Sequence, residues 1–126
     1  MRQHQCGGLG VGPVCAQGLD DGGQHQPLDI GARRVVGAEL VALCVGTDAD
    51  VRATVQAALP ALAPGAVTVD HTTTSAELAR EMAALCAARG VAFIDAPVSG
   101  GEVGAQKGQL TVMCGGDAAA FDAAKP

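Results

Sequence analysis

The sequence predicts an α/β fold built on a doubly wound, mostly parallel β-sheet. Between residues 38 and 126, apolar runs of strand length alternate with segments of helical period, which is typical of consecutive β-α-β units. The first run, residues 39–45, is almost continuously apolar, as expected of a parallel strand that is buried on both faces. With 126 residues, the chain has room for about one domain.

The first helix is predicted directly after this strand, which Gly46 ends. Thr47 stands three residues before Asp50, an acidic variant of the capping box that begins many helices. Pro60 limits how far this helix extends. Apolar residues recur at spacings of four, four and three, which predicts one buried face formed by Val51, Val55, Leu59 and Leu62.

A second strand over residues 66–70 and a second helix are predicted next. Thr74 and Glu77 form a fuller capping box at the start of the helix. Gly90 suits the position just after the helix ends, where a left-handed backbone is common. The buried face of this helix is predicted to contain Leu78, Met82 and Leu85.

Two further strands are predicted, over residues 91–95 and 109–114. The segment between them is rich in glycine and is interpreted as a connection between strands. After the last strand, Asp117 is expected to cap a final helix that runs through Phe121.

Composition and charge exclude several classes of function. The chain has 8 Lys and Arg against 13 Asp and Glu, a net charge of −5, and neither Trp nor Tyr. A nucleic-acid partner is not expected, because binding needs a basic face and gains from aromatic stacking. No apolar run approaches the roughly 20 residues of a membrane span, so no membrane partner is expected.

Five cysteines, an odd number without tight spacing, argue against a disulfide framework and favour a reducing, cytoplasmic location. A metal site is not expected either. His4, Cys6, Cys15 and His25 could be written as ligands, but no pair of cysteines or histidines has the spacing of a known zinc motif.

Residues 1–37 differ from residues 38–126 and are interpreted as a degenerate first part of the same domain. They are rich in glycine and show no sustained periodicity. Gly8, Gly10 and Gly12 are one residue short of the G-x-G-x-x-G fingerprint of dinucleotide sites. The match is weak on its own, because a polar segment precedes it and little helical period follows.

The carboxyl ends of parallel strands are where such sheets bind ligands. Ser99, Gly100 and Gly101 follow the third predicted strand, and exposed backbone amides at two glycines could hold a small carboxylate. A plain glycine-rich connection is an equally good interpretation. Thr72 and Thr73 follow the second strand, and the spacing leaves open whether either contacts a ligand.

His71, in the same turn, is interpreted as an ordinary loop histidine rather than a catalytic base.

Residues 38–126 resemble the β-hydroxyacid dehydrogenases, which include 3-hydroxyisobutyrate dehydrogenase and share a nucleotide-binding domain with 6-phosphogluconate dehydrogenase. The residues that carry the resemblance are D-A-P-V-S-G-G from position 95, with the Gly-Gly pair that closes this signature at 115–116. C-V-G-T-D-A-D-V from position 44 and D-H-T-T-T-S from position 70 also match, with Thr72 in place of the usual serine and Ala76 in place of the usual proline.

The resemblance implies a Rossmann-like fold, NADP or NAD as the cofactor, and a small hydroxyacid as the substrate. Ser99, Gly100 and Gly101 would then hold the substrate carboxylate, and Thr73 would lie near the nicotinamide. Val45 and Gly46 would line the cofactor path, with Gly8, Gly10 and Gly12 as what remains of the fingerprint. The family also forms homo-oligomers, largely through a helical C-terminal domain.

Two departures limit what the resemblance implies. The family lysine that acts as general acid and base is missing from its expected context, since the chain has only Lys107 and Lys125 and no Asn. No catalytic residue is therefore assigned, and the C-terminal helical domain is expected to be absent. Without a central first strand, residues 39–45 would form an open edge, so weak or no cofactor binding and no turnover are expected.

Two alternatives remain at this stage, a non-catalytic module that binds small carboxylates and an inactive remnant that binds no ligand.

Overall fold

A four-stranded parallel sheet organises the part of the chain that the computed structural model describes, residues 14–17 and 35–125. The order across the sheet follows the order along the chain, and every neighbouring pair is parallel. This confirms the predicted α/β class. The strands are β1 (Val14–Gln17), β2 (Leu40–Cys44), β3 (Val67–Asp70) and β4 (Ala92–Asp95).

The edge of β2 that was expected to be open is covered by β1. The two strands pair in parallel, with Val14 opposite Val41 and Gln17 opposite Cys44. The expectation of an open apolar edge at residues 39–45 is therefore wrong. A run of only four residues directly after a proline has little strand signal of its own, and the pairing with β2 is what orders it as a strand.

The first long helix, α1 (Asp48–Ala58), begins and ends as its sequence predicts. The Thr47 hydroxyl accepts a hydrogen bond from the Asp50 backbone N–H at 3.2 Å and donates one to the Asp50 carboxylate at 2.7 Å. A 3₁₀ turn over Leu59–Ala61, which contains Pro60, follows the helix. The four apolar residues predicted to form its buried face, Val51, Val55, Leu59 and Leu62, are all buried.

The second long helix, α2 (Ala76–Ala87), is capped by Ser75 and not by the predicted Thr74. The Ser75 hydroxyl accepts from the Leu78 N–H at 3.2 Å and donates to the Asp48 carboxylate at 2.5 Å. Asp48, at the start of α1, also accepts from the Ser75 N–H at 3.3 Å. Both threonine and serine suit a cap, and this contact with α1 favours Ser75.

On the buried face of α2, the predicted Leu78 and Met82 are confirmed, while Leu85 is only partly buried. Cys86, which the periodicity did not single out, is fully buried beside them. Burial raises the pKa of the Cys86 thiol to about 11, so this thiol stays protonated at neutral pH. Gly90 has φ +71°, as predicted for the residue after the helix.

The sheet has an apolar core on each face. On one face, Val41 and Leu43 of β2 pack with the buried residues of α1 and α2. On the other face, Val69 and Ile94 pack against Ala120 of the last helix, α4 (Ala118–Ala124). All four residues of β3 are buried, as expected of a central parallel strand.

The segment after β4 differs from its prediction. The strand expected over residues 109–114 is reduced to β6 (Thr111–Val112), which pairs in antiparallel orientation with β5 (Val98–Ser99) in a separate two-stranded sheet. The expected plain connection contains a short helix, α3 (Gly101–Gln106).

Glycine geometry explains why this segment folds back on itself. Gly100 has φ +130°, a backbone conformation that L side chains rarely adopt, and it begins α3. A Cβ atom at Gly104 would lie 3.2 Å from the Leu110 side chain, so Leu110 packs closely against the backbone of α3 where the chain returns to β6. Tertiary packing of glycines leaves no periodic signal in the sequence.

The last helix confirms its prediction. The Asp117 carboxylate accepts from the backbone N–H groups of Ala119 and Ala120 at 3.0 and 3.1 Å, which caps α4. Within residues 14–17 and 35–125, no helix combines the length and hydropathy that crossing a bilayer requires. Within residues 35–125, Cys44, Cys86 and Cys114 have free thiols.

Candidate functional site

The candidate site is the sheet edge where β2, β3 and β4 end. The strands are parallel, so their carboxyl ends lie side by side, with Leu43 of β2 opposite Asp70 and Asp70 opposite Asp95. Of the residues that the sequence predicts as ligand contacts, Val45 and Gly46 follow β2 and Thr73 follows β3 at this edge. Ser99, Gly100 and Gly101 come four to six residues after the end of β4, in the segment that forms the separate β5–β6 sheet and the start of α3.

Thr72 joins the end of β3 to the end of β2. Its hydroxyl accepts a hydrogen bond from the Val45 backbone N–H at 3.0 Å, and its side chain is buried. The His71 backbone N–H donates to the Leu43 carbonyl at 2.8 Å, which continues the strand pairing. As a result Val45, half-buried, is held in place, while Gly46 and Thr73 are exposed at the same edge.

Asp70, the last residue of β3, lies at this edge and is not among the predicted ligand contacts. It is fully buried, and its Oδ1 accepts from the Thr72 N–H at 2.9 Å. Its Oδ2 has no hydrogen-bond partner among the residues that the structure describes. Burial raises the pKa of the Asp70 carboxyl, and the hydrogen bonds with Thr72 oppose that rise. An aspartate that ends an apolar strand is the sequence signal for such a residue.

Asp95 occupies the matching position on β4. It is half-buried, and its pKa is raised by burial first and by the negative charge of Asp70 second. Two carboxyl groups in register at this edge therefore favour their protonated forms more than ordinary aspartates do.

His71 joins the end of β3 to the exit of β4. Its Nδ1 lies 2.9 Å from the Ala96 carbonyl oxygen, and because a carbonyl only accepts, Nδ1 carries the proton. The Ala96 N–H donates to the Asp70 carbonyl at 2.7 Å, so the exit of β4 is held by two hydrogen bonds. The sequence interpretation of His71 as an ordinary loop residue did not foresee its contact with Ala96.

Ser99, Gly100 and Gly101 are all exposed and form the turn between β5 and α3. Gly100 and Gly101 have φ values of +130° and +57°. A Cβ atom at Gly101 would meet no atom within 4 Å, so the space beside this backbone is open.

The predicted cofactor contacts Gly8, Gly10 and Gly12 lie outside the described residues. The candidate metal ligands His4, Cys6 and His25 also lie outside them, and for Cys15 only the backbone is described. Within the described part of the chain, no group of three or more His, Cys, Asp or Glu residues is arranged to hold a metal ion.

A separate pocket of about 240 Å³ between β4 and α4, lined by Ile94, Cys114 and Phe121 among others, contains none of the predicted site residues.

Comparison with known families identifies the class of domain. Residues 15–126 match the family described as the NAD binding domain of 6-phosphogluconate dehydrogenase. Because this match covers most of the chain, the chain belongs to this family of NAD-binding domains. The Rossmann-like class that the sequence predicts is confirmed.

Individual relatives extend this assignment. An uncharacterized oxidoreductase of Shewanella frigidimarina is 50% identical over 93 residues, which are 71% of this chain and 32% of that protein. The structure of Mycobacterium tuberculosis 3-hydroxyisobutyrate dehydrogenase with L-serine has a TM-score of 0.71 and 36% identity, and it covers 75% of this chain and 33% of that one. The structure of Psf3 in complex with NADP+ and 2-OPP has a TM-score of 0.63 and 29% identity over 72% of this chain and 32% of that one.

These similarities confirm the predicted resemblance to the hydroxyacid dehydrogenases. The chain spans about a third of the length of the relatives that it matches.

Proposed function

We propose that this chain is the dinucleotide-binding part of an oxidoreductase that transfers a hydride between NAD or NADP and a small β-hydroxyacid similar to 3-hydroxyisobutyrate. The observation that carries the proposal is the meeting of three strand ends at one edge of the sheet. The residues after β2 and β3 would face the cofactor, and the turn after β5 would face the substrate. The similarity to a 3-hydroxyisobutyrate dehydrogenase solved with L-serine supports the substrate class.

The residues proposed to hold the cofactor are Val45, Gly46 and Thr73, with Gly8, Gly10 and Gly12 at its phosphates. Their fit is supported by an orphaned polar atom, because the buried Thr74 hydroxyl oxygen has no hydrogen-bond partner among the described residues. Thr73, the residue before Thr74, and Gly46 after β2 are both exposed, so a ligand can reach them. When bound, the nicotinamide ring accepts or returns the hydride.

The residues proposed to hold the substrate are Ser99, Gly100 and Gly101. The Ser99 hydroxyl can donate a hydrogen bond to a carboxylate, and two glycines let the ligand approach the backbone closely. Such contacts would hold the substrate in a fixed orientation, and positioning of this kind lowers the barrier to a transfer reaction.

We further propose that the chain alone binds its ligands without turning them over. Lys125 donates to Asp122 at 2.6 Å, and Lys107 is the C-cap residue of α3, so neither lysine belongs to the strand ends. The prediction of weak or absent cofactor binding depends on an open edge at β2. Because β1 covers that edge, we propose measurable binding.

Titration of the purified chain with NADH and with NADPH, followed by nicotinamide fluorescence, tests the proposal. We expect saturable binding of at least one cofactor, and Gly46→Ala should weaken it because the added methyl group narrows the cofactor path. Gly115→Ala is the matched control, since a Cβ atom there meets nothing within 4 Å. No saturation by either cofactor, or equal effects of the two substitutions, would contradict the proposal.

A cytoplasmic location and a homo-oligomeric whole protein are also proposed. An odd number of cysteines without tight spacing supports a reducing compartment. Fractionation of the native cells and light scattering of the whole protein would test these two points.

A further inference from the structure

Two adjacent side chains after β3 contact different neighbours. Thr72 accepts a hydrogen bond from Val45 at the end of β2, at 3.0 Å, and His71 donates one to Ala96 at the exit of β4, at 2.9 Å. One turn thus contacts both segments of the candidate site, through two separate side-chain hydrogen bonds.

The hydrogen bond between Thr72 and Val45 is stabilised by the burial of Thr72 and by a second hydrogen bond. Thr72 is buried, and its own backbone N–H donates to the buried Asp70 carboxyl at 2.9 Å. The hydroxyl oxygen therefore has a defined position from which to accept from Val45. Loss of this hydroxyl would leave the Val45 N–H without its acceptor and would loosen the backbone that leads into Gly46.

The bond to β4 acts on the other segment. Ala96 is fully buried, and only Pro97 and Val98 separate it from Ser99. The Pro97 carbonyl accepts from the Met113 N–H at 3.0 Å, and Ser99 pairs with Thr111 of β6, so the path from Ala96 to the turn is held at both of its ends. A shift of Ala96 would therefore be transmitted to Ser99 and the two glycines after it.

We propose that Thr72 and His71 are positioning residues with separate targets, Thr72 for the cofactor segment at Val45 and Gly46, and His71 for the substrate segment at Ser99 to Gly101. This inference rests on the proposed function, and it goes further by assigning each ligand its own support. Neither residue needs to touch a ligand in order to act in this way.

The test compares two pairs of variants of this chain. Thr72→Val replaces the hydroxyl by a methyl group of similar size, and Thr72→Ser restores the hydroxyl. His71→Leu removes the ring donor, and His71→Asn restores an N–H near the Nδ1 position. The dissociation constants for the reduced cofactor and, with cofactor present, for 3-hydroxyisobutyrate are measured by calorimetry for all four variants.

We expect Thr72→Val to weaken cofactor binding about tenfold and His71→Leu to weaken hydroxyacid binding by a similar factor, which is the typical effect of one lost hydrogen bond. Each substitution should change the other ligand's intrinsic affinity less than about twofold, and the conservative variants should restore most of the loss. A purely structural role would weaken both ligands together, and that result would overturn the inference while leaving the proposed function intact.

Amide hydrogen exchange tests the same inference without a ligand. Thr72→Val should speed exchange at the Val45 amide about tenfold and leave the Met113 amide unchanged, and His71→Leu should do the reverse. If the unmodified chain binds neither ligand, the proposed function fails, and this exchange pattern alone decides the positioning roles. Equal acceleration at both amides in either variant would overturn them.

Discussion

Residues 40–95 and residues 96–125 form two regions of this domain that differ in how they are stabilised. The first, the sheet region, has strands of four or five residues and helices of 11 and 12. The second, the exit region, has strands of two residues and helices of six and seven, and α3 buries none of its side chains. The sheet region depends on apolar burial, whereas the exit region depends on glycine conformations and caps.

The difference matters for function, because each region supplies one half of the candidate site. The proposed cofactor residues follow β2 and β3, whose side chains contribute to the apolar cores, whereas the proposed substrate residues lie in an exposed turn. Four predictions test this contrast, from the largest expected effect to the smallest.

The largest effect is expected from Met82→Ala. Met82 is fully buried between α2 and the sheet, and truncation of such a side chain typically costs about 2–5 kcal/mol of unfolding free energy. Urea denaturation followed by circular dichroism measures the loss. Met113→Ala in the exit region is the matched control, and because Met113 is 51% exposed it should change stability by less than about 0.5 kcal/mol. Similar losses of unfolding free energy in the two variants would show that the two regions do not differ in how far they depend on apolar burial.

A smaller effect is expected at the glycine pair before α4. Gly116 has φ +150°, and a Cβ atom there would lie 2.7 Å from the Ile94 side chain and 3.0 Å from the Phe93 carbonyl oxygen. Gly116→Ala should therefore cost roughly 1–3 kcal/mol, the usual range for a strained backbone residue. Gly115→Ala, with no neighbour within 4 Å, should be close to neutral in the same denaturation experiment. A neutral Gly116→Ala would show that the exit region does not depend on this conformation.

Loss of a helix cap should affect the whole domain in the sheet region but only one helix in the exit region. Thr47→Ala removes the cap of α1, and the midpoint of global unfolding should fall by an amount that corresponds to about 1 kcal/mol. Asp117→Ala removes the cap of α4, and we expect faster exchange of the α4 amides with little change in that midpoint. The prediction is wrong if Asp117→Ala lowers the midpoint as much as Thr47→Ala does.

The smallest effect is a pH dependence that originates at Asp70. Burial raises its pKa above the ordinary 3.8, so the folded state binds this proton more tightly than the unfolded state does. The contribution of this group to stability is therefore full at low pH and is lost as pH rises through the folded-state pKa. The unfolding free energy of the unmodified chain minus that of Asp70→Asn should become more negative as pH rises from about 4 to 7.

Asp122→Asn, at an exposed position of α4, is the control for this pH series. Its difference from the unmodified chain should not become more negative over the same interval. A flat difference for Asp70→Asn would mean that the Asp70 carboxyl titrates alike in the folded and unfolded chain.

Local patterns were sufficient for the strands β2, β3 and β4 and for the two long helices. Each of these helices buries one face, so its buried residues recur at helical spacing in the sequence. Examples are Val51 and Val55 of α1 and Leu78 and Met82 of α2. The caps at Thr47 and Asp117 are equally local, since each bonds to a residue two or three positions away. The motifs that resemble those of a hydroxyacid dehydrogenase can also be recognised in the sequence without a structure.

Partners that are distant in sequence decided everything else. Strand β1 depends on pairing with β2, and Asp48 of α1 favours Ser75 over Thr74 as the cap of α2. The strand predicted over residues 109–114 includes only Thr111–Val112 in the structure, because its pairing partner β5 has two residues. Thr72, His71 and Asp70 acquired their contacts only when three strand ends met. A sequence determines local propensity, whereas a hydrogen bond between residues 25 or 27 positions apart exists only after the chain has folded.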